Sequence, residues 1–446
     1  MANGLWKDCE GFTRRDMLKI GGAGLMGLTL PHLLQLEAQA AGTEAAKNRK
    51  AANVILVWLP GGPATIDIWD LKPEAPAEIR GEFKPIKTNV DGIEISEHLP
   101  KTAQVMDKCT IIRSLYHGIP SHGLAATWMT TGNKPSPALQ YPSLGSLCSK
   151  LLPTEMGVPP YVSFSDIRNG TIGGAGYLGT AYNPFGVEGV GANGGKGTAG
   201  QLRVRGITLP TGFSLEELEN RDKLVEGFDK SFKALDKASD LADGMDAFHK
   251  QALEILRSDK TKKAFNLQAE SEATRNLYGN TPMSQAALAA RRLIEAGVRF
   301  VTISGGGWDT HANNFTTLKD RNLPMLDTVL AALITDLSDR GMLESTIVYC
   351  AGEFGRTPKV NQRAGRDHWA RSMAVLLAGG GFKKGYVHGN TDSQGMQPHN
   401  EPCTPDDVAA TIFQQLGLNP HQELATNSGR KIQLFREGKV ISKVLA

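Results

Sequence analysis

The sequence predicts an α/β protein with a doubly wound, mostly parallel sheet and helices on both faces. Three observations predict this class. Short, nearly continuous apolar runs recur along the chain, these runs lead into glycine-rich turns, and helix-like stretches lie between the later runs. In open α/β sheets of this kind, functional side chains collect where the strands end.

The first predicted strand lies within 53–62, NVILVWLPGG, where an apolar run suited to burial on both sheet faces ends in glycine. Similar apolar, β-rich runs predict four more strands. They lie at 109–116, 299–307, 345–355 and 373–382.

Helices are predicted between these strands. The stretch 117–132 indicates a turn that leads into a helix, with Ser121 near the helix N-terminus. Residues 284–297 and 323–341 also have a helical pattern, and the second has apolar positions at helical spacing and a closing glycine.

The middle of the chain has a different composition. Residues 169–200 are rich in glycine and poor in aliphatic side chains, which predicts a long surface loop. The polar, heptad-like region at about 214–280 predicts a helical insertion or subdomain. Since no internal repeat or independent-domain linker is evident, we expect residues 41–446 to form one α/β domain with this insertion.

The first forty residues are typical of a twin-arginine export signal. Arg14 and Arg15 precede a weakly apolar, glycine-rich stretch, 20–36, and a small-residue triplet, 38–40. An amphipathic helix kept in the mature protein is the alternative. The signal predicts passage through the twin-arginine export machinery to the periplasm or the exterior. No later segment reaches about 18 uninterrupted apolar residues, so no transmembrane anchor is expected after cleavage.

Charge and cysteine content exclude some functions. The 49 lysines and arginines nearly balance the 46 acidic residues without a long run of one sign, so no nucleic-acid partner is expected. Four cysteines follow the signal without a paired motif, and no disulfide is predicted.

Acidic and imidazole side chains follow or precede several predicted strands. Asp309 and His311 follow one strand in GGGWDTHANNF, Glu353 ends the next, His368 precedes another, and Asp67 follows the first strand. Carboxylates and imidazoles that converge at one sheet edge suit a divalent metal, either zinc or calcium or magnesium. The alternative to metal binding is that Asp309 and His311 only cap the backbone of the loop in which they lie.

Four further residues are candidates for catalysis. Arg356 and Arg366 could form forked hydrogen bonds to an oxyanion. Ser121 is a candidate nucleophile, because a helix N-terminus stabilises negative charge, although a plain N-cap is the alternative. His122 could assist it or belong only to the turn. His122, Asp70 and Asp367 are also further candidates for metal ligands.

These motifs together resemble a known family. The twin-arginine signal, GGP…D…D.KP, GGWDTH.NNF, GEFGRTP and GRDHW…GGG look like a large family of exported bacterial proteins whose domain is of unknown function. The match covers nearly the whole chain. That family is in turn similar to the alkaline phosphatase and sulfatase superfamily, which implies a central sheet with metal ligands at its carboxyl edge.

The resemblance also implies roles for single residues. Asp309 and His311 would match the superfamily's aspartate and histidine ligand pair, His368 its late histidine and Asp67 its early acidic ligand. Glu353 stands where the superfamily has a ligand pair, and Phe354 replaces the second ligand.

The resemblance places the nucleophile near Ser121. Gly118 stands near the position of the cysteine that sulfatases convert to formylglycine, which disfavours that mechanism.

The preferred hypothesis is a metal-dependent hydrolase of phosphate or sulfate esters outside the cytoplasm, with a small-molecule or polysaccharide ester as substrate. The alternative is a catalytically inactive envelope protein for binding or assembly on the same scaffold. A phosphomutase or transferase that uses the same metals would differ only in the acceptor.

Overall fold

A nine-stranded mixed sheet forms the centre of the protein in a computed structural model that describes residues 49–165, 173–188, 203–204, 254–255, 258–426 and 428–446. The strands, in chain order, are β1 (Asn53–Trp58), β2 (Pro85–Lys87), β3 (Glu94–Ser96), β4 (Cys109–Leu115), β5 (Tyr161–Ser163), β6 (Phe185–Glu188), β7 (Arg203–Val204), β8 (Phe300–Ser304), β9 (Thr346–Ala351), β10 (Gly355–Arg356), β11 (His368–Trp369), β12 (Met373–Ala378), β13 (Tyr386–His388), β14 (Asn390–Thr391), β15 (Pro398–Asn400), β16 (Glu423–Ala425) and β17 (Lys431–Gln433).

The helices of the described residues lie between these strands. They are α1 (Ala77–Arg80), α2 (Pro100–Ala103), α3 (His122–Thr131), α4 (Leu144–Leu151), α5 (Asp259–Phe265), α6 (Glu272–Tyr278), α7 (Pro282–Glu295), α8 (Asn314–Thr317), α9 (Leu323–Asp339) and α10 (Pro405–Gln415).

The order of strands in the central sheet is β13-β4-β12-β9-β1-β8-β5-β6-β7. Parallel pairing joins β9, β1, β8, β5 and β6, and β13 is parallel to β4. In contrast, β12 is antiparallel to both of its neighbours, and β7 is antiparallel to β6. The predicted α/β class with a mostly parallel sheet is therefore confirmed.

All five predicted strands are present as β1, β4, β8, β9 and β12. The predicted helices also form, as α3, α7 and α9. The five strands were recognisable in the sequence because each is buried along almost its whole length and is therefore a nearly continuous apolar run.

Two hydrophobic cores cover the two faces of the sheet. Side chains of β1 alternate between them, since Ile55 and Val57 face the core with α7 and α9, whereas Val54, Leu56 and Trp58 face the core with α4 and α10. Helices therefore pack on both faces, as the doubly wound class requires.

Part of the predicted glycine-rich loop joins the sheet. Residues 173–184 form two short 3₁₀ turns, but 185–188 pair with β5 as strand β6. Phe185 and Val187 are buried in the core and give this segment an apolar alternation within glycine-rich surroundings.

Other predictions fall outside the described residues. The predicted signal at 1–40 lies there, as does most of the predicted insertion at 214–280, of which residues 258–280 carry α5 and α6. Within the described part of the chain, every helix is too short or too polar to span a membrane.

Candidate metal centre

The candidate site lies at one edge of the sheet because several strands meet there. Trp58 at the end of β1 is paired with Ser304 and Ala351, the last residues of β8 and β9. Since β12 runs in the opposite direction, its first residue, Met373, pairs with Leu115 at the end of β4. The segment before β12 therefore reaches the same edge as the segments after the other strands.

Three donor atoms form a compact triangle at this edge. Asp309 Oδ1 lies 3.0 Å from His311 Nε2 and 3.3 Å from His368 Nε2, and the two Nε2 atoms are 3.0 Å apart. In a tetrahedral zinc site, bonds of about 2.0–2.1 Å place neighbouring donor atoms roughly 3.3 Å apart. The triangle thus has nearly the dimensions of one face of such a site.

His122 provides a third imidazole. It is the first residue of α3, and its Nε2 lies 3.5 Å from Asp309 Oδ2. Among the described residues, His122, Asp309 and His368 form a group whose potential ligand atoms lie within 4.8 Å of one another. The sequence offered His122 as a catalytic residue and as a further ligand, and the structure places its ring beside the potential ligand atoms of Asp309 and His368.

Each imidazole is oriented by an oxygen on its other nitrogen. His122 Nδ1 donates to Glu353 Oε1 at 2.7 Å, and His311 Nδ1 donates to Asp367 Oδ1 at 2.6 Å. His368 Nδ1 donates to the carbonyl oxygen of Pro120 at 3.0 Å. Histidines that bind metals are usually oriented in this way.

These hydrogen bonds determine what the ring nitrogens can do. A neutral imidazole whose Nδ1 carries the hydrogen has a lone pair on Nε2. The lone pairs of His311 and His368 then face each other across 3.0 Å beside a carboxylate, an arrangement that a cation would stabilise. The donor set therefore fits a bound metal ion.

Glu353 lies behind His122. Its Oε1 also accepts a hydrogen bond from the backbone N–H of Gly61 at 2.8 Å, and its side chain is almost completely buried. Oε2 is buried and has no hydrogen-bond partner among the described residues. Glu353 was predicted as a metal ligand, but its contact is with the imidazole of His122, so its geometry is that of a residue that orients a ligand.

Arg356 is turned inward. Its guanidinium donates to the carbonyl oxygens of Gly61, Gly62 and Arg366 and to Asp309 Oδ1. The side chain is fully buried. These contacts fix the carboxylate of Asp309 and leave no part of the guanidinium exposed to a substrate, which contradicts the predicted oxyanion contact.

Asp67 and Arg366 pair with each other. Both oxygens of Asp67 accept from Arg366, at 2.7 Å each, and Oδ2 also accepts from Asn314 Nδ2 at 2.8 Å. Both side chains are buried. The predicted roles, a metal ligand for Asp67 and an oxyanion contact for Arg366, are replaced by a buried, bidentate ion pair that connects two loops of the site.

Ser121 is the N-cap residue of α3, which is the position that the alternative to a nucleophile required. Its side chain is exposed, and its hydroxyl makes no capping hydrogen bond. The preceding loop is held near the potential metal ligands, since the carbonyl of Pro120 accepts from His368 Nδ1 and the His117 ring donates to the carbonyl of Glu353 at 2.7 Å. An available hydroxyl therefore lies next in sequence to a potential ligand.

Aromatic packing and close backbone contacts shape the floor of the site. The buried ring of Phe354 lies 5.0 Å from the ring of His122 and 4.5 Å from that of His368, so this residue supports two histidines. A Cβ on Gly365 would lie 2.2 Å from the backbone of His311, which explains why glycine is needed at this loop position.

The electrostatics keep two carboxylates ionised. Burial raises the pKa of Asp309, but the hydrogen bond and charge of Arg356 outweigh it, and the pKa lies below its ordinary value. The hydrogen bond with His311 holds the pKa of Asp367 below its ordinary value. Each carboxylate is therefore available at neutral pH to a cation or an imidazolium.

Among the predicted ligands, the structure brings Asp309, His311 and His368 together, with Glu353 one contact further out and Asp67 in a separate ion pair. The orienting role of Asp367 was missed. Its adjacency to His368 in GRDHW offered a signal, but its partner, His311, is 56 residues away in sequence.

Comparisons with solved structures give distant similarities. The alkaline phosphatase from the Antarctic bacterium TAB5 is 16% identical, covers 82% of this chain and 99% of its own, and has a TM-score of 0.34. The PsFucS1 sulfatase from Pseudoalteromonas sp. is 13% identical with coverages of 92% and 76% and a TM-score of 0.39. The phosphonate monoester hydrolase SpPMH from Silicibacter pomeroyi is 12% identical, covers 88% of this chain and 76% of its own, and has a TM-score of 0.34.

No curated protein matches the chain by sequence. A family described as a protein of unknown function, DUF1501, matches residues 51–445. The chain therefore belongs to the DUF1501 family.

Proposed function

We propose that this protein is a metal-dependent hydrolase of phosphate or sulfate esters. The observation that carries the proposal is the common orientation of His122, His311 and His368. Each has an oxygen acceptor on Nδ1 and directs Nε2 toward the carboxylate of Asp309. Oriented imidazoles of this kind are typical of a site for a Lewis-acidic metal ion, and core packing does not require them.

The donor types favour zinc over calcium or magnesium. Calcium and magnesium prefer oxygen ligands, whereas zinc and its first-row neighbours bind imidazole well. A bound ion of this type supplies Lewis-acid polarisation of the ester oxygen. His122 and Asp309 are 40% and 47% exposed, so the centre is open to a substrate.

The chain's own residues would perform the remaining tasks. Arg356 holds Asp309 from the buried side, and Asp367 and Glu353 hold two imidazoles in orientation. Ser121 is the candidate nucleophile, because its hydroxyl is exposed and lies at the N-terminus of α3, where negative charge is stabilised.

The test is hydrolysis of aryl phosphates and aryl sulfates by the full-length chain after loading with zinc, together with elemental analysis. We expect turnover that chelation abolishes and zinc restores. The His311→Ala variant should lose both metal and activity, whereas Ser121→Ala should keep the metal and lose activity. Ser393→Ala, an exposed serine in another loop, is the matched control. A protein that binds no metal and hydrolyses neither ester would refute the proposal.

A second candidate is an envelope protein that binds a ligand or partner at this centre without turnover. The inward orientation of Arg356 and Arg366 favours it, because neither guanidinium is exposed to a substrate's oxyanion. Metal binding without turnover, together with a stable partner in a pull-down, would favour this function.

In both cases we propose export by the twin-arginine machinery, which replacement of Arg14 and Arg15 by lysine should block in a cell-fractionation assay.

A further inference from the structure

The balance of charge at the metal centre limits the substrates that it can take, and this inference rests on the proposed function. Asp309, Asp367 and Glu353 contribute three carboxyl groups, and Arg356 contributes one guanidinium that contacts one of them. The Asp67–Arg366 pair is neutral by itself. Counted in their ionised forms, these groups carry an excess of two formal negative charges around three imidazoles.

A single divalent cation would cancel this excess and leave a centre that is close to neutral. Such a centre differs from one in which exposed arginines face the ligand. Within the described residues, the ion pairs of Asp309 and Asp367 are formed with histidines and with the buried Arg356. Their exposed sides, 47% and 50% of the side chains, would therefore repel a second negative charge on a ligand.

An exposed cation, Arg363, lies near the site. Arg363, in the loop before Asp367, acts on the carboxyl of Asp367 through its charge. The negative charge of Asp367 already offsets the positive charge of Arg363. Among the described residues, no hydrogen bond joins the two side chains. Arg363 therefore adds little attraction for a dianion.

We propose that this centre selects esters whose transferred group carries one negative charge, namely sulfate monoesters and phosphate diesters, over dianionic phosphate monoesters. The shared chemistry is a tetrahedral group with a single formal charge. A centre that the metal has neutralised accepts one charge with little repulsion, but a second charge faces the half-exposed carboxylates of Asp309 and Asp367, and the guanidinium paired with Asp309, that of Arg356, is buried.

The test is calorimetric binding to the full-length, zinc-loaded chain, and it needs no turnover. The probes are methanesulfonate for the sulfate ester, monomethyl methylphosphonate for the phosphate diester, and methylphosphonate at a pH at which it is doubly charged. We expect both monoanions to bind at least about fivefold more tightly than the dianion. A fivefold difference in affinity is expected from the repulsion between two like unit charges about 4 Å apart in a solvated site.

A designed cation provides the second measurement. Gly123 follows His122 on the first turn of α3, is exposed, and has open space where a Cβ would lie. The Gly123→Lys variant should raise the affinity for methylphosphonate several-fold and change that for methanesulfonate less. The Gly123→Ala variant, which adds the Cβ without the charge, should leave the ratio unchanged.

The outcomes separate the two proposals. Equal or tighter binding of the dianion by the wild-type chain would overturn the charge selectivity and leave the metal-dependent hydrolase standing. A chain that takes up zinc but binds none of the three probes would overturn the hydrolase and the selectivity together.

Discussion

His311 and His368, which are 57 residues apart in sequence, bring their Nε2 atoms to within 3.0 Å of each other. Their Nδ1 atoms are bound to Asp367 and to the carbonyl of Pro120, so both lone pairs point into the same space. This relationship unites residues that lie after β8 and residues that lie before β12. It underlies the predictions that concern metal binding.

Removal of the charge that orients His311 should weaken metal binding without unfolding the protein. The Asp367→Asn variant weakens the hydrogen bond to His311 Nδ1, and loss of such an orienting partner typically costs about 10–100-fold in metal affinity. Competition with a zinc chelator measures the change. Asp339→Asn, at the exposed end of α9, is the control and should match the wild type. Equal affinities for all three proteins would contradict the orienting role.

Truncation of Glu353 should destabilise the fold even without metal. The Glu353→Ala variant leaves the N–H of Gly61 and the Nδ1–H of His122 without their acceptor, and a buried unsatisfied donor costs about 1–3 kcal/mol. Urea unfolding in the presence of chelator measures the free energy of unfolding. Glu353→Gln keeps one acceptor oxygen and should lose less. A Glu353→Ala protein as stable as wild type would exclude this account.

Disruption of the buried Asp67–Arg366 pair should affect stability far more than metal content. The Asp67→Ala variant leaves the guanidinium of Arg366 buried without its counterion, for which about 3–5 kcal/mol is typical. The double variant Asp67→Leu with Arg366→Met should regain part of this loss. If folded Asp67→Ala protein lost its zinc selectively, Asp67 would instead belong to the ligand set.

The close approach at Gly365 allows a steric test. In Gly365→Ala the added Cβ would lie 2.2 Å from the backbone of His311, so this backbone or the loop must shift. We expect both lower stability and weaker zinc binding. Gly186→Ala, where nothing lies within 4 Å of the new Cβ, is the matched control. Unchanged zinc affinity in Gly365→Ala would show that the loop yields without disturbing His311.

Stability should fall at acid pH partly because of Asp309. Its pKa is lowered in the folded protein, so its contribution to stability is complete above the ordinary aspartate pKa of about 4 and is lost as the pH falls through the lowered value. The effect should be modest, since the side chain is half exposed. Urea midpoints of chelated protein at pH 6 and pH 3 should differ less for Asp309→Asn than for wild type. An equal difference in both proteins would assign the acid sensitivity to other groups.

The strands and helices could be predicted because their signals are local. The apolar runs of β1 and β8 and the amphipathic pattern of α7 are complete within a few residues each. The direction of β12 could not be predicted, since a strand buried on both faces has the same composition in either orientation.

The site was predictable only as a set of residue types at strand ends. The sequence predicts Asp309, His311 and His368 at one edge of the sheet, but the partner of each charged group depends on distances across the fold. Asp67 and Arg366, for example, are 299 residues apart, and nothing near either residue in sequence indicates that they pair. The same limit applies to Arg356, whose acceptors are carbonyl oxygens.

The reversed direction of β12 has an evolutionary consequence. The chain leaves the sheet after β9 and re-enters it at the same rim through β12, so residues 352–372 form one excursion that carries Glu353, Arg356, Asp367 and His368. None of the residues 352–372 is paired with a strand of the central sheet. Descendants of this scaffold could thus acquire or lose a chemistry through changes in this one segment, provided that its buried contacts with the segment after β1 are kept.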